Sequence, residues 1–190
     1  MKALLQQIQH QLKLQADGER LDSYKKFIPG STFKAYGVPT PALNLLAQQF
    51  KTGGFELVRH LWYAGAFEEQ LLAVKILGKI AKKDPELSLQ LVQHFAPAIN
   101  NWAVCDAIGM QALKPVVKTH QKEIFALAKK YNRSKNFWER RLSLVLVEWY
   151  TRDKQYHEEI NKLIAALQND KEYYVRKAIV WINKNFKKGK

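Results

Sequence analysis

Four segments of the chain open on an aromatic residue and run on apolar at a nearly constant interval. They are FEEQLLAV from Phe67, WAVCDAI from Trp102, FWERRLSL from Phe137 and YYVRKAIV from Tyr173, steps of 35, 35 and 36 residues. Ahead of each lies a shorter amphipathic stretch with helical spacing: FELVRHLWYA, PELSLQLVQHFA, QKEIFALAKKY and EEINKLIAALQ. Asp84 followed by Pro85 predicts a capped start for the second of these. Helix pairs recurring at this spacing predict an α-solenoid, in which no pair buries its own apolar face and neighbours stack into one curved array with a concave surface. No Val- or Ile-rich alternating run is bounded by turn residues, so the expected fold is all-α. Upstream, Leu4, Leu5, Ile8 and Leu12 form a helical stripe that stops near Asp17-Gly18, and ERLDSYKKF reads as a helix ending at Pro29-Gly30. Residues 30–41, GSTFKAYGVPTP, predict a loop carrying Phe33 and Tyr36 into a helix that begins near Thr40. The chain is expected to be one domain over 1–190, with irregular helices over 1–53 and helix pairs over 54–190.

Charge says what such a surface would meet. Lys and Arg total 31 against 17 Asp and Glu, a net charge of +14, while 47% of residues are hydrophobic, so the chain is a basic globular protein and not a disordered polycation. Residues 114–190 hold 19 Lys or Arg and 8 acids, net +11, leaving +3 for residues 1–113. A polyanion is the expected partner, met by the second half. The single cysteine, Cys105, excludes an intramolecular disulfide and a Cys-based zinc site, and sits in an apolar run as a small buried residue. His10, His60, His94, His120 and His157 show no metal-ligand spacing. No metal and no cofactor are expected. MKALLQQIQHQLKLQ interrupts its apolar residues with Gln, His and Lys, which predicts neither a signal peptide nor a membrane span. A soluble cytoplasmic protein is expected.

Register singles out the chemistry. The residue four after each opening aromatic is Leu71, Asp106, Arg141 and Lys177 in turn. Equivalent repeats put equivalent residues on equivalent faces, so Asp106, Arg141 and Lys177 should form a row on helices about 8–10 Å apart. Trp102 precedes Asp106 by four residues and shares its helix face, and Asn100 or Asn101 can cap that helix. Asp106 falls beyond the first turn, so neither capping nor the helix dipole accounts for it. Two readings stand: a structural carboxylate paired with an arginine, or an anion beside an indole that receives something flat and cationic. Trp181, four residues beyond Lys177, brings a second aromatic near the row, with Arg140 and Arg176 beside it. Trp62, Trp138 and Trp149 lie in Leu- and Val-rich runs and read as core.

In GVPTPALNLLA at 37–47, LWYAGAFEEQLLA at 61–73, NWAVCD at 101–106, FWERR at 137–141 and YYVRKAIVWINKNF at 173–186, the chain resembles the bacterial DNA alkylation repair family of HEAT-like-repeat glycosylases, the AlkD type. The resemblance covers most of the chain. It implies a HEAT-like-repeat α-solenoid with a concave basic face that excises cationic N3- and N7-alkylated purines, such as 3-methyladenine and 7-methylguanine, from double-stranded DNA without a metal or a cofactor. By that resemblance Asp106 is the catalytic carboxylate, Trp102 and Trp181 are the active-site tryptophans, and Arg141 is an arginine that contacts the DNA backbone. Arg140, Lys135, Arg176, Lys177 and Lys184 are the candidate phosphate contacts of the basic face. The pattern departs from the family at Ala103, where a second acid is common, and at Thr40 and Asn44, where arginine is frequent. The expected state is a monomer, associated with the nucleoid when bound. Two alternatives remain open: a non-catalytic relative binding damaged or distorted DNA through the same face, and a protein-binding HEAT array.

Overall fold

A computed structural model describes residues 1–27 and 34–188. Pro29, Gly30 and Phe33 lie outside the described residues. Helices account for the ordered elements, and no strand occurs among the described residues. The chain parts into two compact units, Met1–Asp84 and Pro85–Lys190, at the Asp84-Pro85 step.

The first unit contains α1 (Lys2–Leu14), α2 (Gly18–Phe27), α3 (Thr40–Phe50), α4 (Gly54–Ala64) and α5 (Phe67–Ile80). The apolar stripes predicted from spacing are the buried ones: Ile8 and Leu12 of α1, Leu57, Leu61 and Trp62 of α4, and Leu72, Ile76 and Leu77 of α5. Two buried acids at the start of α5 hold the connection into α3. Glu68, fully buried, accepts from the backbone N–H of Tyr36 (2.9 Å) on one carboxylate oxygen and from those of Gly37 (2.7 Å) and Val38 (3.0 Å) on the other. Glu69 accepts from Gln9, from the Tyr36 hydroxyl and, at 2.8 Å, from the Ala66 N–H at its own helix start. Gly37 has φ +83°, and a Cβ there would meet the Asp17 carbonyl, so both conformation and space require glycine.

The second unit contains α6 (Pro85–Phe95), α7 (Trp102–Ala107), α8 (Gln121–Asn132), α9 (Phe137–Val147), α10 (His157–Ala166) and α11 (Tyr173–Lys188). The helices α5, α7, α9 and α11 each begin at the aromatic residue that opens the corresponding sequence segment. Helix α9 is the centre of the second unit: it packs against α7, α8 and α11, and every residue from Arg141 to Val147 is buried. Residues 142–147, apolar apart from Ser143, belong inside such a stack. Among the described residues no helix is long and apolar enough to cross a membrane.

Glu68→Ala leaves the N–H groups of Gly37 and Val38, both buried, and of part-buried Tyr36 without this acceptor, and each buried one costs about 1–3 kcal/mol. The variant is expected to unfold at markedly lower urea concentration than the parent, with a stability loss of at least about 2 kcal/mol. An unchanged midpoint would remove Glu68 as the anchor of this connection.

Candidate DNA-facing site

Successive repeats start their second helices in the same way. The Asn101 side chain accepts from the Val104 N–H at 2.9 Å, and Asn136, 35 residues on, accepts from the Trp138 N–H at 2.9 Å. These caps fix where α7 and α9 begin, and so align Asp106 with Arg141. Helix α7 runs directly into a π-helical turn, Ile108–Ala112. In that turn a Cβ on Gly109 would stand 2.5 Å from Val145 Cγ1 and 2.9 Å from the Val145 carbonyl carbon. Glycine therefore lets the segment after Asp106 lie directly on the backbone of α9.

Across this contact Asp106 and Arg141 form a two-point ion pair. Arg141 Nε donates to Asp106 Oδ1 at 2.9 Å and Nη2 donates to Oδ2 at 2.8 Å. Nη1 donates to the Tyr174 carbonyl at 2.6 Å, tying α9 to the first turn of α11. The Arg141 side chain is 8% exposed and that of Asp106 28%, so the carboxylate is the member of the pair that reaches solvent. Burial pushes the Asp106 carboxyl above the ordinary aspartate value of 3.8, while the hydrogen bonds and charge of Arg141 pull the other way without cancelling it. Both oxygens accept from the guanidinium, a geometry that requires the ionised form. On the arginine side, the Asp106 contact outweighs burial and holds the cation charged. Cys105 is fully buried; burial drives its thiol well above the ordinary range and its Sγ donates to the Trp138 carbonyl at 3.6 Å. It is a packing residue.

The other expected site residues divide. Trp102 opens α7, half-buried, one turn before Asp106. Trp181 is half-buried on α11, two turns beyond Tyr174, whose carbonyl Arg141 holds. Lys135, Arg176, Lys177 and Lys184 are exposed, and Lys177 Nζ stands 5.3 Å from the centre of the Tyr173 ring. Arg140 is spent internally: it donates to both Asp170 oxygens (2.6 and 3.3 Å) and to the carbonyls of Ser134 (2.9 Å) and Lys135 (3.0 Å). In this chain it braces α9 against the turn that precedes α11. Arg141 likewise has its fork on Asp106 and Tyr174 and is buried. Lys177 faces solvent over Tyr173, while Asp106 and Arg141 make up the contacting part of the expected row. Trp62 and Trp138 are core, but Trp149 is half-buried with Lys114 and Arg152 on its ring. Asn44 accepts from Lys75 at 2.8 Å. Among the described residues no three of His, Cys, Asp and Glu gather closely enough to hold a metal ion.

Repeated helix pairs that carry a braced, partly exposed carboxylate one turn from an indole, with cations on the surface, define an all-α, solenoid-like protein. The chain belongs to the DNA alkylation repair enzyme family, whose sequence model matches residues 8–188. Its fold is similar to that of a predicted DNA alkylation repair enzyme from Enterococcus faecalis, with a TM-score of 0.78 over 92% of this chain and 84% of that one. The two are 18% identical, so the likeness is one of fold. No curated protein sequence matches the chain. Family membership supports a role in DNA repair.

Replacing Arg141 by lysine keeps a charge but loses the fork and the Tyr174 contact. Removing one partner of a buried pair costs about 3–5 kcal/mol; with Asp106 28% exposed and a cation retained, Arg141→Lys is expected to lose about 2 kcal/mol in urea unfolding. A loss below about 0.5 kcal/mol would mean that the fork is not what holds the site.

Proposed function

We propose that the protein is a DNA glycosylase that hydrolyses the N-glycosidic bond of cationic N3- and N7-alkylpurines, 3-methyladenine and 7-methylguanine among them, in duplex DNA. The observation that carries this reading is the two-point pair itself. A carboxylate one turn from an indole is fixed by an arginine on the neighbouring repeat, yet keeps part of its surface open.

The chemistry follows from the substrate's charge. A purine alkylated at N3 or N7 is already cationic, leaves as a neutral base and needs no general acid. Ordinary glycoside hydrolysis requires a second carboxyl group for that task. One carboxylate then suffices. As the bond to the base lengthens, positive charge grows on the deoxyribose, and Asp106 stabilises it while orienting the attacking water. Because Arg141 fixes the carboxylate beforehand, little reorganisation is needed as the charge develops. The indoles of Trp102 and Trp181 add face-on attraction for the cationic sugar. Lys135, Arg176, Lys177 and Lys184, all exposed, hold phosphates without reading sequence. Arg141 acts through Asp106 and is a positioning residue.

Two measurements test the reading. Wild type is expected to release 7-methylguanine and 3-methyladenine from methylated duplex DNA, and Asp106→Asn to lose at least about a hundredfold in rate while binding duplex within about threefold of wild type. No release by wild type, with salt-sensitive binding intact, would leave a non-catalytic DNA-binding relative. The second is the pH profile. A carboxyl raised above 3.8 takes up its proton at higher pH than an exposed aspartate, and only the anion stabilises the sugar. Enzymatic release, corrected for spontaneous loss, should therefore fall with decreasing pH through an inflection above 3.8. An inflection at or below that value would contradict the buried carboxylate as the active group.

A further inference from the structure

Glu148, in the 3-10 turn Glu148–Arg152 that follows α9, is almost fully buried at 1% exposure and has no part in the chemistry above. One of its oxygens, Oε1, accepts from Arg152 Nη2 at 3.2 Å and from Asn185 Nδ2 of α11 at 3.0 Å. The next residue is Trp149. Lys114 Nζ stands 4.9 Å from the centre of its ring and the Arg152 guanidinium 5.6 Å. Its Nε1–H is buried without a hydrogen-bond partner among the described residues, so the indole is held for its face and not for its polar edge. Lys114 is exposed and the Arg152 side chain is 56% exposed. Two cations that share one ring repel each other, and each gains only about 0.5–1 kcal/mol from the indole at an exposed site. Lys114 and Trp149 hold equivalent positions, each 12 residues beyond the aromatic that opens its repeat, and exposed Lys184 adjoins the Asn185 that Glu148 holds.

We propose that Lys114 and Arg152, seated on Trp149 and braced by Glu148, form a second phosphodiester-binding site. It grips the DNA backbone apart from Asp106, at the opposite end of α9 from Arg141. This rests on the reading that the protein binds duplex DNA. Lys135, Arg176 and Lys177 lie at the starts of α9 and α11, whereas Lys114 lies in the 3-10 turn Lys114–Val116, and Trp149 and Arg152 in the 3-10 turn that follows α9. The two sets therefore suit two lengths of backbone, with Asp106 at the end nearer the first. An ordinary lysine pair on a solvated face lacks both the shared ring and the buried carboxylate that orients one of the cations.

The test is the salt dependence of binding to an undamaged fluorescent duplex, between about 50 and 200 mM salt. Each phosphate neutralised contributes about 0.9 to the slope of log affinity against log salt. Lys114→Gln/Arg152→Gln is expected to lower the wild-type slope by about 2 and to weaken binding at 0.1 M salt by roughly 10- to 60-fold. Lys114→Gln alone leaves Glu148 paired and should lower the slope by about 0.9. Lys122→Gln/Lys130→Gln, the same charge change on exposed positions of α8, should leave the slope unchanged. A wild-type slope in both Lys114 variants overturns the proposal, as does an equal loss in the α8 control, which would assign the effect to overall charge. A wild type that shows no salt-dependent DNA binding overturns the DNA reading itself, and this site with it.

Discussion

A carboxylate set into an apolar helix is stable only if something meets it, and here the partner comes from the next repeat. Asp106 and Arg141 are 35 residues apart, one repeat step, so stacking the repeats carries one residue to the other. The pair in turn needs α7 and α9 in close contact, which Gly109 permits by leaving Val145 room. It also needs both helices to start in register, which Asn101 and Asn136 secure. The third arm of the arginine, on the Tyr174 carbonyl, fastens α11 to the same point. A single guanidinium thus joins three consecutive repeats around one anion. The cost of burying charge explains why removing either partner would be felt beyond the site.

The same economy governs the basic residues. A net charge of +14 invites the view that every cation serves the DNA, but two arginines expected near the site are turned inward. Arg140 braces Asp170 and two carbonyls, and Arg141 braces Asp106. Arginine suits this work because its planar fork meets a carboxylate at two points. The exposed cations near the site are Lys135, Lys177 and Lys184, where a compact, strongly hydrated charge sits comfortably, together with Arg176. Under the proposed function, chemistry and affinity are carried by different residues, so an alteration at Asp106 abolishes one while sparing the other.

Much of this was legible in the sequence because repetition converts spacing into contact. The 35-residue interval located the starts of the second helices, and the register of Asp106 with Arg141 anticipated their pairing. What escaped lies off that interval or depends on backbone packing. Arg140 and Asp170 are 30 residues apart, and no periodic signal joins them. The grip of Glu68 and Glu69 on residues 36–38 depends on a fold of the chain that periodicity does not encode. The close approach at Gly109 depends on backbone packing that its place in the sequence does not signal. Trp149 was assigned to the core by its apolar neighbours, although Lys114 stands at the equivalent place in the preceding repeat, 35 residues earlier.

The central claim is that Asp106 is a preformed anion awaiting a positively charged sugar. It is tested most directly by comparing affinity for two duplexes alike except at one site, where one carries a cationic pyrrolidine in place of the deoxyribose and the other a neutral tetrahydrofuran. A transition-state mimic should be preferred by about a hundredfold or more, with the preference confined to protein that retains Asp106. Equal affinity for the two duplexes would contradict the account, since a carboxylate that cannot tell a cation from its neutral isostere cannot stabilise the charge that bond cleavage creates.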